Sequence, residues 1–151
     1  MKKLITMALM ALMTMGTSVS ANEWDKIRIG VEGAYPPFSW VEKDGTLKGF
    51  DIDIAMALCE EIGAECVLVP QDWDGIIPAL LARKYDAIIA SMSITEERKK
   101  KVAFSEKYYN TPAKFARKKG SGITISKAGL KGKTVGVQRA TTHDNFITGE
   151  F

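Results

Sequence analysis

Residues 91–98 read Ser-Met-Ser-Ile-Thr-Glu-Glu-Arg. Ser91, Ser93 and Thr95 bring hydroxyls to a helix start, and Met92 lies between the two serines. The free backbone N–H groups of such a start favour an anion. Arg98 follows within reach, and a guanidinium grips a carboxylate through two parallel hydrogen bonds. A lysine has no such fork. Spacing alone equally allows Arg98 as one more surface charge in the run 96–101. Tyr35 and Trp73 are the second element. Each is flanked by turn-forming or polar residues. Facing each other, they could hold a flat or aliphatic side chain, or attract a cation through their ring faces. Core membership is the competing reading, and it is stronger for Phe38 and Phe50. Glu32 is the third element, a carboxylate three residues before Tyr35. It could meet a cationic group at the far end of the slot, although an exposed loop carboxylate is the commoner fate of a lone Glu.

Those residues need elements to position them. Residues 26–31 alternate apolar and polar side chains, which predicts a strand. Residues 32–38 are a Gly- and Pro-containing loop, 39–41 a short extended piece, and 43–46 a hairpin-type turn. A helix follows Gly49, with Ile54, Ala55, Leu58, Cys59 and Ile62 at helical spacing. Asp51 or Asp53 can cap its start, and Gly63 stands where it should stop. Residues 65–69 are a second strand. Residues 72–83 form another helix, with Pro78 near its first turn, where a missing N–H costs least. Residues 86–90 are a wholly apolar run after Asp86, of the kind buried in a parallel sheet. Thr95 caps a short helix with Glu first and Lys last. Residues 108–112 and 115–119 look extended, 120–122 is a flexible break, 130–137 a loop and strand, 138–142 a turn, and 143–151 a helix. Strands alternating with helices give an α/β fold with a largely parallel sheet. Ligands in such sheets bind at the carboxyl ends of strands. That rule selects the loops 32–38, 71–74, 91–98 and 138–143.

Composition narrows the function class. The chain has 151 residues, 21 basic and 18 acidic, for a net charge of +3. That excess is small and carries no basic stripe with interleaved aromatics, so nucleic acid is not the expected partner. Residues 1–21 have the pattern of a signal peptide: Lys2 and Lys3, an apolar run, then Val19-Ser20-Ala21 before a cleavage site. The next residue is Asn22 rather than Cys, so the expected product is soluble and not lipid-anchored. Export to an oxidising compartment favours a disulfide between Cys59 and Cys66 over two free thiols. With no histidine near them, a zinc site is not expected, and no other metal or cofactor is implied.

Four ordered segments carry a resemblance. Residues 29–38 (Ile-Gly-Val-Glu-Gly-Ala-Tyr-Pro-Pro-Phe), 49–53 (Gly-Phe-Asp-Ile-Asp), 72–78 (Asp-Trp-Asp-Gly-Ile-Ile-Pro) and 86–95 (Asp-Ala-Ile-Ile-Ala-Ser-Met-Ser-Ile-Thr) are similar to the motifs of type II periplasmic amino-acid-binding proteins. The chain most resembles the lysine/arginine/ornithine- and histidine-binding branch, which also carries a cysteine pair at this spacing. The resemblance implies a periplasmic-binding-protein type II fold with two lobes joined by crossing strands. Residues 22–109 would be lobe 1, 110–119 a hinge crossing, and 120–151 the start of lobe 2. The first lobe would be complete except for the returning C-terminal crossing, and the second lobe only begun.

It also implies roles. Arg98 would clamp the ligand α-carboxylate, helped by the Ser93 and Thr142 backbone N–H groups. The Ser91 carbonyl and Ser93 hydroxyl would receive the α-ammonium. Tyr35 and Trp73 would sandwich the side chain, and Glu32 would face its distal cation. Thr141 and His143 would close over the ligand from the second lobe. Some residues depart from the pattern. The second-lobe aspartate for the ammonium is not in this sequence, and Ala90 lacks a hydroxyl. Gln138, Arg139 and His143 differ from the lysine/arginine/ornithine binder. Arg139 near the cleft could oppose a cation or meet a second carboxylate, which keeps opine-type ligands open.

The expected function is therefore capture of a free amino acid by hinge closure, for the inner-membrane permease of an ABC importer. The ligand would be arginine, lysine, ornithine, histidine or an opine derivative, and the protein a periplasmic monomer. With its second lobe only begun, the chain alone is expected to bind weakly or not at all. Two alternatives remain. One is an arogenate/prephenate-type dehydratase on the same fold, with Glu32 or His143 as acid/base group. The other is the ectodomain of an amino-acid sensor, which the cleavable leader argues against.

Overall fold

The computed structural model describes residues 24–151, so the leader expected at 1–21 lies outside the described residues. The first strand, β1 (Lys26–Val31), is the middle of a parallel sheet. It pairs with β5 (Glu65–Pro70) on one side and β6 (Ala87–Ile88) on the other. A second small sheet is antiparallel: β2 (Ala34–Tyr35), β3 (Ser39–Val41) and β4 (Leu47–Lys48). The segment read as a plain loop thus contains β2, and a cis bond joins Pro36 to Pro37. The turn before β4 is the expected hairpin, with Glu42 N–H bonded to the Thr46 carbonyl at 2.8 Å.

Alternation along β1 separates two layers. Ile29 and Val31 pack against helix α1 (Phe50–Ile62) through Ile52, Ala55 and Cys59. Burying Ile29, Val31 and Ile52 contributes about 1.5–3 kcal/mol each relative to exposure. Gly30 points the other way, toward Tyr85. A β-carbon on Gly30 would sit 2.5 Å from the Tyr85 ring, so only glycine lets that ring approach the strand. Tyr85 is fully buried and donates its hydroxyl to the Ile76 carbonyl at 2.5 Å. It packs with Ile76 and Ala79 of helix α2 (Ile76–Leu81), which a short 3₁₀ turn, Trp73–Gly75, precedes.

Several expectations need correction. Helix α1 begins after Gly49 with no side-chain cap, so neither Asp51 nor Asp53 caps it. Asp51 is instead buried in the first turn. The buried face of α1 is Asp51, Ile52, Ala55 and Cys59, while Leu58 and Ile62 are more than half uncovered or close to it, at 50% and 57% exposed. The sheet it covers sets that phase, not the longest apolar series. Its C-terminus is as expected, with Gly63 left-handed and the Cys59 and Glu60 carbonyls satisfied. Phe50 is 41% exposed rather than core, and joins a surface aromatic cluster with Phe38, Tyr108 and Tyr109.

Cys59 and Cys66 form a disulfide that ties the end of α1 to β5. The strand read at 86–90 is paired only at Ala87 and Ile88, but Asp86 N–H and Ile89 N–H extend the ladder to the Arg28 and Gly30 carbonyls. Arg28 also forks onto the Asp86 carboxylate, Nη2 at 2.7 Å and Nε at 3.0 Å, which holds that carboxyl below its usual range. Helix α3 (Glu96–Lys99) is capped by Thr95, as read.

The segments at 108–119 are not strands, and the strand read at 130–137 is absent. Among the described residues no strand lies beside them, and a strand exists only as one side of a ladder. A one-turn helix, α4 (Lys127–Leu130), is capped by Ser126 and was not foreseen. Helix α5 (Thr142–Glu150) starts one residue earlier than read, capped by Thr141.

Candidate functional site

The loops after β1, β5 and β6 converge with the turn before α5 on one half-open cleft. Its cavity volume is about 110 Å³, room for a small molecule. Of the residues singled out by sequence, Glu32, Tyr35, Trp73, Ser91, Ser93, Arg98, Thr141, Thr142 and His143 line it. Met92 does not; its side chain packs against the Ile76 cluster. Ala90 and Gln138 line the cleft and were not singled out as ligand contacts. Both lie in or beside loops that the carboxyl-end rule selected, and the sequence marks both only as departures from the family pattern.

Arg98 is the best-placed cation. Its Nη1 donates to the Ser93 carbonyl at 2.9 Å, and its Nη2 to the Ala140 carbonyl at 3.3 Å. A guanidinium carries five N–H donors, so most stay free for a ligand carboxylate. The guanidinium carbon sits 5.3 Å from the Trp73 ring centroid, a cation–π distance. Burial pulls the Arg98 pKa down, with Glu97 opposing, yet an arginine this far above neutrality stays charged. The Trp73 Nε1 donates to the Ala140 carbonyl at 3.1 Å. Tyr35 stacks on Phe38 at 5.1 Å between centroids.

Glu32 accepts a hydrogen bond from Gln138 Nε2 at 2.5 Å. Burial pushes its pKa up; the Gln138 bond opposes, and the Asp51 and Asp72 charges add to the rise. Ser91 has a left-handed backbone, with φ of 51°, and its hydroxyl donates to Asp51 rather than standing free. Thr141 is nearly buried; its hydroxyl donates to the Gln138 carbonyl at 2.7 Å and accepts from Asp144 N–H at 3.1 Å. These bonds shape the turn that carries Arg139, whose Nη2 meets Asp74 at 2.8 Å on the rim. A second hollow continues past Glu32 and Trp73 toward Asp72, Asp74 and Arg139.

Chemically the cleft lining combines a guanidinium, hydroxyls, a carboxylate and two aromatic rings, Tyr35 and Trp73. Among the described residues no group of three or more His, Cys, Asp or Glu is arranged to hold a metal ion. No described helix is long and apolar enough to cross a membrane.

Residues 27–146 match the model of the bacterial extracellular solute-binding proteins, family 3, and the chain belongs to that family. Among individual proteins, it is 50% identical over 150 residues to the L-arginine-binding protein of Pseudomonas aeruginosa, covering 99% of this chain and 58% of that relative. A solved ancestral arginine-binding protein bound to arginine is 42% identical, with a TM-score of 0.76 over 84% of this chain and 56% of that one. The arginine-bound form of domain 1 from TmArgBP is 44% identical, with a TM-score of 0.54 over 56% of this chain and 68% of that one. The chain thus spans little more than half the length of the curated relative. That relative is named as an amino-acid-binding protein. A solved ancestral cyclohexadienyl dehydratase is also similar, at 38% identity and a TM-score of 0.54 over 56% of this chain and 35% of that one.

Proposed function

We propose that this chain carries the ligand-gripping lobe of a periplasmic binding protein that captures a free cationic amino acid, arginine first, for an ABC importer. The observation that carries this reading is the cleft's polarity: the Arg98 fork and the Glu32 carboxylate line one cavity from opposite chemical standpoints. A zwitterion with a distal cation has the matching order of charges. Arg98 takes the α-carboxylate, with Ser93 and Thr142 N–H groups beside it. The Ser91 carbonyl and Ser93 hydroxyl take the α-ammonium. Tyr35 and Trp73 flank the aliphatic stem, and Glu32 meets the guanidinium or ammonium at its end. Thr141 and His143 close the far side. Residues 22–109 act as lobe 1, 110–119 as the crossing, and 120–151 as the beginning of lobe 2, with 1–21 a cleaved leader.

The names of the similar proteins support arginine as the first ligand to test. Of the two acid/base candidates for the dehydratase reading, Glu32 is paired with the Gln138 amide and His143 lines the same cleft, so the amino-acid reading rests on the Arg98 and Glu32 charges and on the similar proteins. The arginine-bound first domain of TmArgBP also bears on the expectation that the chain alone binds weakly or not at all. A first lobe of this family held arginine there. Calorimetry decides both points, with arginine, lysine, ornithine, histidine and glutamine titrated into the 151-residue chain and into the whole protein. Arginine is expected to bind the whole protein tightest. A preference for glutamine over every cationic ligand would end the cationic reading.

A further inference from the structure

Asp51 is a carboxylate with no exposed surface, and the ligand roles above leave it unused. A buried charge is tolerated only where hydrogen bonds replace water. Here each oxygen accepts one hydroxyl: Oδ2 from Ser91 Oγ at 2.7 Å, and Oδ1 from Tyr108 Oη at 2.9 Å. Tyr108 Oη in turn accepts the Ser91 backbone N–H at 3.1 Å. The three residues close a ring that holds Ser91 by both its N–H and its hydroxyl.

Ser91 needs such a hold. Its φ of 51° is left-handed, a region that disfavours a residue with a β-carbon and persists where the surroundings over-determine it. Ser91 is also on the cleft wall. Tyr108 is anchored separately, its ring stacked on Phe50 with centroids 6.1 Å apart. Burial of the Asp51 carboxyl raises its pKa, and the two hydroxyl donors work against that rise.

We propose that Asp51 is a positioning residue for the ammonium end of the site. Through Tyr108 and the Ser91 hydroxyl it locks the Ser91 peptide in the orientation that meets the ligand α-ammonium. It also ties that peptide to Tyr108, just before the 110–119 segment. This rests on the reading of the cleft as an amino-acid site, so the test has one arm that uses no ligand.

In the first arm, amide hydrogen exchange is followed at Ser91 in the whole protein without ligand. Asp51→Asn and Tyr108→Phe are each expected to speed exchange at Ser91 by about tenfold or more, the scale of one lost charge-linked hydrogen bond. Unchanged protection in either variant overturns the proposal. In the second arm, L-arginine is compared with 5-guanidinopentanoic acid, which lacks the α-amino group. Asp51→Asn is expected to weaken arginine about tenfold or more and the analogue less than about threefold. Equal losses mean a general structural role and overturn the proposal. If the unmodified protein binds no cationic amino acid, the function reading falls and the exchange arm still judges Asp51. If Asp51→Asn does not fold, Tyr108→Phe, which keeps its ring stacking, carries both arms.

Discussion

Ser91, Trp73 and Glu32 stand on loops that leave the parallel sheet, whereas Gln138, Thr141 and His143 stand on a turn with no strand beneath it among the described residues. The first wall inherits its geometry from β1, β5 and β6 and from two buried clusters. The second wall is held by bonds that reach across the cleft: Gln138 to Glu32, Trp73 and Arg98 to the Ala140 carbonyl, and Arg139 to Asp74. One wall is preorganised before a ligand arrives. The other is positioned by groups that the ligand itself must address. On the proposed reading, a ligand carboxylate would compete with the Ala140 carbonyl for Arg98, and a ligand cation with Gln138 for Glu32. Binding in such a site exchanges cross-cleft bonds for ligand bonds, so the net gain is smaller than the sum of the new contacts.

Substitutions at three positions test that contrast. The largest effect belongs to the preorganised wall. Arg98→Ala is expected to weaken arginine by about 2–5 kcal/mol, the cost of leaving a buried carboxylate unpaired. Arg98→Lys should recover little of it, because the fork is lost. Calorimetry reads both, and a loss below about fivefold for Arg98→Ala would remove the guanidinium from the carboxylate site.

Glu32 comes next, and pH is the lever. Burial favours its neutral form, so Glu32 loses its charge at a higher pH than an exposed glutamate. A cationic ligand needs the ionised form. Arginine affinity is therefore expected to be full at neutral pH and to fall as pH drops through that raised pKa. Glu32→Gln should weaken arginine about tenfold at neutral pH, affect glutamine far less, and abolish the acid-side fall. Equal losses for both ligands would make Glu32 structural.

The smallest effect belongs to the rim. The Arg139 side chain is 86% exposed, and an exposed ion pair contributes under about 1 kcal/mol. Arg139→Ala should change arginine affinity by less than about fivefold, and by less still in high salt. A larger loss would show that the second wall depends on that one bridge.

The sequence showed the preorganised wall far better than the other. Alternation at 26–31 and the apolar run at 86–90 are local patterns that reveal strands, although only Ala90 of the second run is buried. The carboxyl-end rule then located the loops without any knowledge of contacts. Thr95 is a local cap and was legible for the same reason.

What failed was non-local. Asp51 looks like a helix cap because acidic residues favour helix starts, but its partners Ser91 and Tyr108 lie 40 and 57 residues away. The phase of α1 depends on the sheet it covers, which the apolar spacing of Leu58 and Ile62 could not reveal. The supposed strand at 130–137 has suitable residues and no neighbour to pair with. Gln138 sits in a turn bonded by the Thr141 hydroxyl and reaches Glu32, 106 residues away in sequence.

The position of β1 has a further consequence, for the order in which the protein can be made. The earliest strand in the chain is the central one, and both of its partners are synthesised later. Lys26 must wait for Glu65, and Ile29 for Ala87. A chain emerging N-terminus first therefore leaves both edges of β1 open until β5 appears and one edge open until β6 does, and open edges recruit other chains.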